Sequence, residues 1–331
     1  GNPLRKFKGR VVFQGNNVRD ENAEYAIFSE LSSAPASMQA AKHLDAYGLL
    51  PGHATQLADA ESAYTQSKLK GTPTWVRMPK EQWPAEWIKA GFKDPVCLLI
   101  LALYGHPDAG GYWERHCEEH LFRIGFKRAS TWRSTFWHSE LRLLLTVYVD
   151  DFKMSGPAGN LAKGWELIRQ PYAGLKGIKM DDPTPGGKFL GCDHIESRQC
   201  VNPTQPPTTT GGGQLPSILQ DGSFSKVVNS SKQQLVPVRV LEYDMSLFLQ
   251  QCVERYQELA GPNGGTLRKV DTPFLAEKLE TPMWEDKDKV SEGNLKSIAA
   301  KVLMKILYAA RMARYDLLRP TCALASLVTK W

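Results

Sequence analysis

The six cysteines, Cys97, Cys117, Cys192, Cys200, Cys252 and Cys322, lie far apart and form no CxxC pair. This spacing speaks against the common zinc and dithiol motifs and for scattered reduced thiols in an intracellular protein. No apolar run reaches the length of a membrane span, and no basic-then-apolar signal peptide opens the chain. No internal repeat is visible. A strong excess of one charge is also missing: the formal net charge of +6 permits a polyanionic partner without demanding one. What the chain does have is 331 residues, 42% of them hydrophobic and 23% charged. That describes a globular protein with enough length for two or three subdomains. It starts without an initiator Met and stops inside an apolar pattern, so both ends are expected to be cuts in a longer polypeptide.

The most telling stretch is Leu141 to Gly156, LRLLLTVYVDDFKMSG. An apolar run rich in Leu, Val and Tyr reads as a buried strand, stops at Asp150 and Asp151, and resumes over Phe152 to Met154. Strand, acidic two-residue turn and strand make a hairpin, although Asp-Asp is not the glycine-containing pair such a turn prefers. A turn that forgoes its favoured residue for two negative charges points to a use for the charges; an ordinary solvated turn is the plainer alternative.

Around it the chain alternates short strands and helices. Basic residues 5 to 10 lead into Val11-Val12-Phe13, either over phosphates or as a solvated edge strand. A helix is expected from Ser37 to Tyr47. A strand over 55–58 ends at Asp59, and another spans Trp75 to Met78. Val96 to Tyr104 is a continuous apolar run. The spacing predicts a helix from Ala109 with Trp113, Cys117, Leu121 and Ile124 on one face and Gly125 as its stop. A helix follows from Asn160, a candidate cap, to Arg169, and Lys188 to Gly191 reads as a strand. Residues 202–235 are rich in Pro, Gly, Ser, Thr and Gln and read as a flexible linker. Helices are expected beyond it, one carrying Met245, Leu249, Cys252, Tyr256 and Leu259 and one beginning near Asn294.

Nucleotidyl transfer needs divalent cations held by carboxylates from separate strands that meet at one point. Asp150 and Asp151 supply one side, and Asp59 is the natural third. Clustering them without metal is costly because like charges push their pKa values upward. Five positions beyond Asp59 stands Tyr64, which could pack beneath a nucleotide sugar or simply fill the core.

At this point the chain resembles the reverse transcriptases of copia-type LTR retrotransposons. Tyr148-Val149-Asp150-Asp151 is the YVDD form of their hairpin. Lys8-Gly9-Arg10-Val11-Val12 is similar to K-A-R-L-V, Asp59-Ala60-Glu61-Ser62-Ala63-Tyr64 to D-V-K-N-A-F, and Trp75 to Pro79 to I-Y-M-x-Q-P. Val96-Cys97 and Ala102 to Gly105 match V-C-K-L…A-L-Y-G, Trp113 the final W of L-K-Q-A-P-R-A-W, and Gly125-Phe126 the G-F that follows. Tyr25 to Pro35 sits where the family has Y-x-x-T-F-S-P-V, Phe189-Leu190-Gly191 matches its primer grip, and Thr272-Pro273 its S-T-P.

The resemblance implies an RNA-directed DNA polymerase with two Mg²⁺ ions, for which Mn²⁺ can substitute. Asp59 and Asp150 would be the principal metal ligands, Asp151 a supporting carboxylate, and the carbonyl of Ala60 a further ligand. Lys8, Arg10, Tyr64 and Tyr148 would contact the nucleotide. Lys179 would donate a proton to the leaving pyrophosphate, with a solvated loop lysine as the alternative. Phe189, Leu190 and Gly191 would grip the primer. Implied partners are an RNA or DNA template with its primer, dNTPs, and integrase and RNase H regions outside this fragment, with no membrane. The implied setting is a cytoplasmic virus-like particle with access to the nucleus.

The segment that covers the nucleotide departs from the family. It reads His106-Pro107-Asp108-Ala109-Gly110-Gly111-Tyr112-Trp113, so a Lys, a Gln and an Arg are missing and Asp108 stands where the Gln should be. A decayed or domesticated relic that binds nucleic acid without polymerising is therefore one alternative. A zinc hydrolase using His116-Cys117-Glu118-Glu119-His120, an H-x-x-E-H match, is another. The expected fold class is α+β: a right-hand polymerase fold with fingers, an antiparallel palm sheet carrying the hairpin, and a helical thumb-like C-terminal region. Its expected parts are 1–105 (fingers and first palm segment), 106–201 (palm with the YVDD hairpin and FLG strand), 202–235 (linker) and 236–331 (helical).

Overall fold

The computed structural model describes residues 9, 11–26, 35–201, 235–261, 266–267, 269–270 and 296–328. In chain order the regular elements are α1 (Met38–Gly48), β1 (His53–Asp59), β2 (Trp75–Arg77), α2 (Ala85–Lys89), β3 (Val96–Leu98), α3 (Ala109–Arg123), β4 (Phe126–Arg128), β5 (Thr135–His138), β6 (Leu143–Tyr148), β7 (Asp151–Pro157), α4 (Ala158–Arg169), β8 (Thr184–Pro185), β9 (Gly187–Phe189), β10 (Cys192–Val201), β11 (Val236–Asp244), α5 (Ser246–Ala260), α6 (Lys296–Met312) and α7 (Leu318–Ala325). The strands pair antiparallel throughout, so the class is α+β. No helix among the described residues is long and apolar enough to cross a membrane.

Two compact units divide the chain, Gly1–Pro185 and Gly186–Trp331. The first is built on a six-stranded sheet in the order β4-β5-β6-β7-β1-β8. Its helices form where the sequence supplies both a stop and a stripe. Ser37 caps α1 by accepting from the Ala40 N–H at 3.1 Å, and Ala40, Ala41 and Leu44 are its buried face. In α3 the stripe Trp113, Cys117 and Leu121 is buried as the spacing predicts, and Gly125 follows with φ +98°.

Alternation along β7 sends Phe152 and Met154 to one face, where they join Phe126, Phe136, Leu143, Leu145 and the α3 and α4 side chains in the main core. Each fully buried Phe there contributes about 1.5–3 kcal/mol of transfer free energy. The other face carries Asp151, Lys153 and Ser155, with Asp59, Leu57 and Thr55 as their partners on β1. On this face α1 presents Asp45, whose carboxylate lies 2.5 Å from the Lys153 ammonium, with both side chains almost fully buried. The ion pair thus ties α1 to the strand two residues beyond Asp151.

The second unit holds the sheet β11-β10-β9 and helices α5 to α7. It begins before the expected boundary at 201, and β9, β10 and β11 form one ladder. Val201 and Val236 are direct partners, so β10 ends beside the start of β11; of the segment read as a linker, 202–234 lies outside the described residues. The expected helical region from 236 therefore begins with a strand, whose alternating Val236, Val238 and Val240 were a readable signal.

Three further expectations change. Leu190 and Gly191 form a two-residue turn with φ of +51° and +78°, so only Phe189 of the FLG stretch is strand. Positive φ at both central residues is the turn that matches strand twist. Of Val96 to Tyr104, only 96–98 is strand, pairing with β2; Ile100 and Leu101 are exposed. Asn160 lies inside α4 rather than capping it, and donates instead to the Leu141 carbonyl at 2.9 Å.

Candidate active site

The hairpin β6–β7 turns on Val149 and Asp150, one residue earlier than the sequence suggests. Asp151 belongs to the ladder, because it pairs with Tyr148 on one side and with Asp59 on the other. Val149 pays for this with φ +59°, a left-handed conformation that costs a β-branched residue about 1–3 kcal/mol. The Trp113 indole N–H donates to the Val149 carbonyl at 2.6 Å and holds the turn in place.

The same pairings bring the backbones of Asp59, Asp150 and Asp151 together. Asp59 and Asp151 are direct cross-strand partners and so share one face. The Ala60 N–H donates to the Asp150 carbonyl at 2.8 Å, fixing the turn against the end of β1. Burial, then the charges of Asp59 and Asp150, then a hydrogen bond to Asp59 raise the Asp151 carboxyl to about 7. Among the described residues no three His, Cys, Asp or Glu side chains form a ready-made metal cage. The donor set nevertheless fits Mg²⁺, which is commonly bound by one or two carboxylates and completed by substrate phosphates and water. A cation would also offset the burial and the neighbouring charges that raise the Asp151 carboxyl.

Tyr64 lies in a short 3₁₀ turn, Ala63–Gln66, just beyond Asp59. Its ring packs 4.7 Å from that of Tyr104. Burial first, then the charge of Asp150, then Tyr104 push its phenol pKa up. A cavity behind the hairpin is walled by Tyr64, Trp113, Cys117, Phe136, Val147 and Val149. The N–H of Phe13 donates to the Tyr104 carbonyl at 2.7 Å. Gly105, at φ +89°, allows that approach: a Cβ there would collide with the Phe13 carbonyl.

Lys179 is brought beside the carboxylates. Ala60 bridges to Met180, the Glu61 N–H donates to the Lys179 carbonyl at 2.9 Å, and the Asp181 N–H to the Asp59 carbonyl at 2.9 Å. Asp108 sits at the head of α3 without making a cap bond. Its N–H donates to His106 Nδ1 at 3.2 Å, and its Oδ1 is buried without a hydrogen-bond partner. Burial lowers the His106 pKa, and Asp108 partly offsets this. Tyr148 is half-buried opposite Asp151. Phe189, Leu190 and Gly191 lie in the second unit, where the Tyr308 hydroxyl donates to the Leu190 carbonyl. Lys8, Arg10, Thr272 and Pro273 lie outside the described residues.

His120 of the H-x-x-E-H match is fully buried and donates from Nε2 to the Ile168 carbonyl at 2.9 Å. Desolvation lowers its pKa. It is a core histidine whose Nε2 is taken by the Ile168 carbonyl, which speaks against the zinc reading.

Two residues that the sequence did not single out for function prove central. Trp113 reads from its spacing as core and from the resemblance as the last residue of the segment that covers the nucleotide, and its bond to Val149 is invisible without the fold. Gln66 hydrogen-bonds the Lys179 peptide on both sides; no pattern of spacing signals that.

The profile of the reverse transcriptase (RNA-dependent DNA polymerase) family matches residues 3–202, more than half of the chain. A search of the curated proteins finds no match. Among solved structures, a telomerase from Candida albicans in complex with a TWJ fragment of telomeric RNA is similar at 11% identity. The likeness covers 50% of this chain and 34% of that one, with a TM-score of 0.25, which is too low to fix a shared architecture. The chain thus spans about a third of the telomerase chain it matches.

Proposed function

This chain belongs to the reverse transcriptase (RNA-dependent DNA polymerase) family, and from that premise we propose that it is the polymerase module of a copia-type LTR-retrotransposon Pol polyprotein. The observation that carries this reading is the meeting of Asp59, Asp150 and Asp151 at the β1–β7 ladder and its adjoining turn. In the reaction the primer 3′-oxygen attacks the α-phosphorus of a dNTP, a new phosphodiester forms, and pyrophosphate leaves. When bound, two Mg²⁺ ions, or Mn²⁺ in their place, would ease deprotonation of the 3′-hydroxyl and carry triphosphate charge. Asp59 and Asp150 would hold them, with Asp151 and the Ala60 carbonyl in support. Tyr64 would lie under the sugar and exclude a 2′-hydroxyl. Lys8, Arg10 and Tyr148 would bind the nucleotide, and Lys179 would protonate the departing pyrophosphate.

In this reading the six-stranded sheet is the palm, the β2–β3 ribbon belongs to the fingers, Phe189-Leu190-Gly191 is the primer grip, and α5 to α7 are thumb-like. The partners are a template–primer duplex and the integrase and RNase H regions of the same polyprotein. The setting is a virus-like particle in the cytoplasm with access to the nucleus.

Asp108 supports the second reading, a relic that binds nucleic acid without polymerising. The resemblance aligns it with a neutral Gln of the family, and its Oδ1 is buried without a hydrogen-bond partner. Primer extension on an RNA template with Mg²⁺ or Mn²⁺, with Asp150→Asn as control, tests the proposal. Extension that the control abolishes supports the polymerase; binding of template–primer without any extension supports the relic.

A further inference from the structure

Ala60 and Met180 are bridge partners and both are buried. Alternation then sends their neighbours Asp59, Glu61, Lys179 and Asp181 to the opposite side, and all four are exposed. Lys179 therefore emerges on the face that carries Asp59 and its partner Asp151. One backbone bond reaches it, from the Glu61 N–H to the Lys179 carbonyl at 2.9 Å, but residues 176–179 belong to no strand. Gln66 supplies the rest. Its Nε2 donates to the Lys179 carbonyl at 2.9 Å and to the Glu61 carbonyl at 2.7 Å, and its Oε1 accepts from the Lys179 N–H at 2.8 Å. Only a side-chain amide donates and accepts through adjacent atoms in this way; a carboxylate or an apolar side chain of similar length cannot. Gln66 also ends the short turn that bears Tyr64, so one turn sets both residues.

We propose that Gln66 is a positioning residue that clamps Lys179 on the open face beside Asp59, where its ammonium protonates the leaving pyrophosphate. This rests on the role given to Lys179 above. As the 3′-hydroxyl gives its proton to solvent and its oxygen bonds to the α-phosphorus, the bond from that phosphorus to the bridging oxygen breaks. Its electron pair goes to that oxygen, which takes a proton from Lys179 Nζ; solvent then reprotonates the amine.

The test is single-nucleotide incorporation across pH by Lys179→Leu, Gln66→Ala and the double variant, with amide hydrogen exchange read on the same proteins. Lys179→Leu is expected to lower the maximal rate by about 10²-fold or more, the usual contribution of a general acid. Gln66→Ala should cost about 10-fold in rate with dNTP affinity little changed, because the acid is displaced and not removed. In the double variant Gln66→Ala should add nothing, because its effect passes through Lys179. The Lys179 amide should exchange faster in Gln66→Ala, a readout independent of catalysis. Losses that multiply in the double variant, or an unchanged Lys179 amide, overturn the inference while leaving the Lys179 role standing. A Lys179→Leu enzyme with wild-type rate and pH profile overturns that role and the inference with it. If Gln66→Ala does not fold, Gln66→Glu keeps the length and the acceptor but not the donors; the same non-additivity is expected, and additive losses refute the clamp.

Discussion

The chain contains two long antiparallel hairpins that use the same backbone ladder to opposite ends. In β6–β7 nearly every side chain is buried, the two strands are closed by the pair Val149-Asp150, and a tryptophan from α3 grips that turn. In β10–β11 most side chains of β10 are exposed, cross-strand contacts such as Arg239 to Glu196 at 2.7 Å lie near the surface, and the open end carries residues 202–235. Main-chain bonds alone suffice to align two strands, and a hairpin so held can accept a long connection at its tip at modest entropic cost. A hairpin packed on both faces cannot, because a slip of one residue would turn Asp151 into the core and Phe152 out of it. Strain and charge can therefore be kept at Val149 to Asp151, where the surroundings over-determine the backbone.

The sharpest break of that contrast is chemical. Asp59→Asn should reduce nucleotide incorporation by roughly 10³-fold or more, with template–primer binding nearly intact. Incorporation at the wild-type rate would remove Asp59 from the site. Next in size is the buried pair behind the first hairpin. Lys153→Met removes the buried ammonium that faces the Asp45 carboxylate, and should cost about 3–5 kcal/mol of stability in urea unfolding. A loss below 1 kcal/mol would mean that α1 does not depend on the pair.

Trp113→Phe keeps the packing and removes the indole N–H, so about 1 kcal/mol of stability and roughly a tenfold loss in rate are expected. A variant with unaltered kinetics would show that the Val149 turn holds itself. A pH effect should follow from Asp151. Its carboxyl titrates near 7 in the metal-free fold against 3.8 when unperturbed, so folding takes up a proton between those values. Stability of the metal-free protein should thus decline as pH rises from about 4 to 7 and level off above. The difference between wild type and Asp151→Asn isolates this term, and thermal melts in which the two run parallel across that window would contradict it. The smallest effect is expected in the second hairpin. Deleting 204–233 and joining the ends with a short Gly-Ser linker should leave the melting temperature nearly unchanged, since Val201 and Val236 already face each other. Insoluble or strongly destabilised protein would mean that the segment packs on the fold.

Much was legible in the chain itself, because periodicity and local chemistry report on single elements. The stripe of α3 with Gly125 at its end, the helix that starts at Ser37 and the strand ending at Asp59 are all local signals, and the YVDD stretch announces the carboxylates. What the sequence left open depends on partners distant in the chain. The turn sits at Val149-Asp150 because Asp151 is claimed by Asp59 across the ladder. Leu190 turns because Phe189 and Cys192 pair. Trp113 and Gln66 act through bonds to Val149 and to Lys179. Such contacts leave no period in the sequence, since they are set by register and by which face of the sheet each side chain meets, and only the tertiary structure decides those.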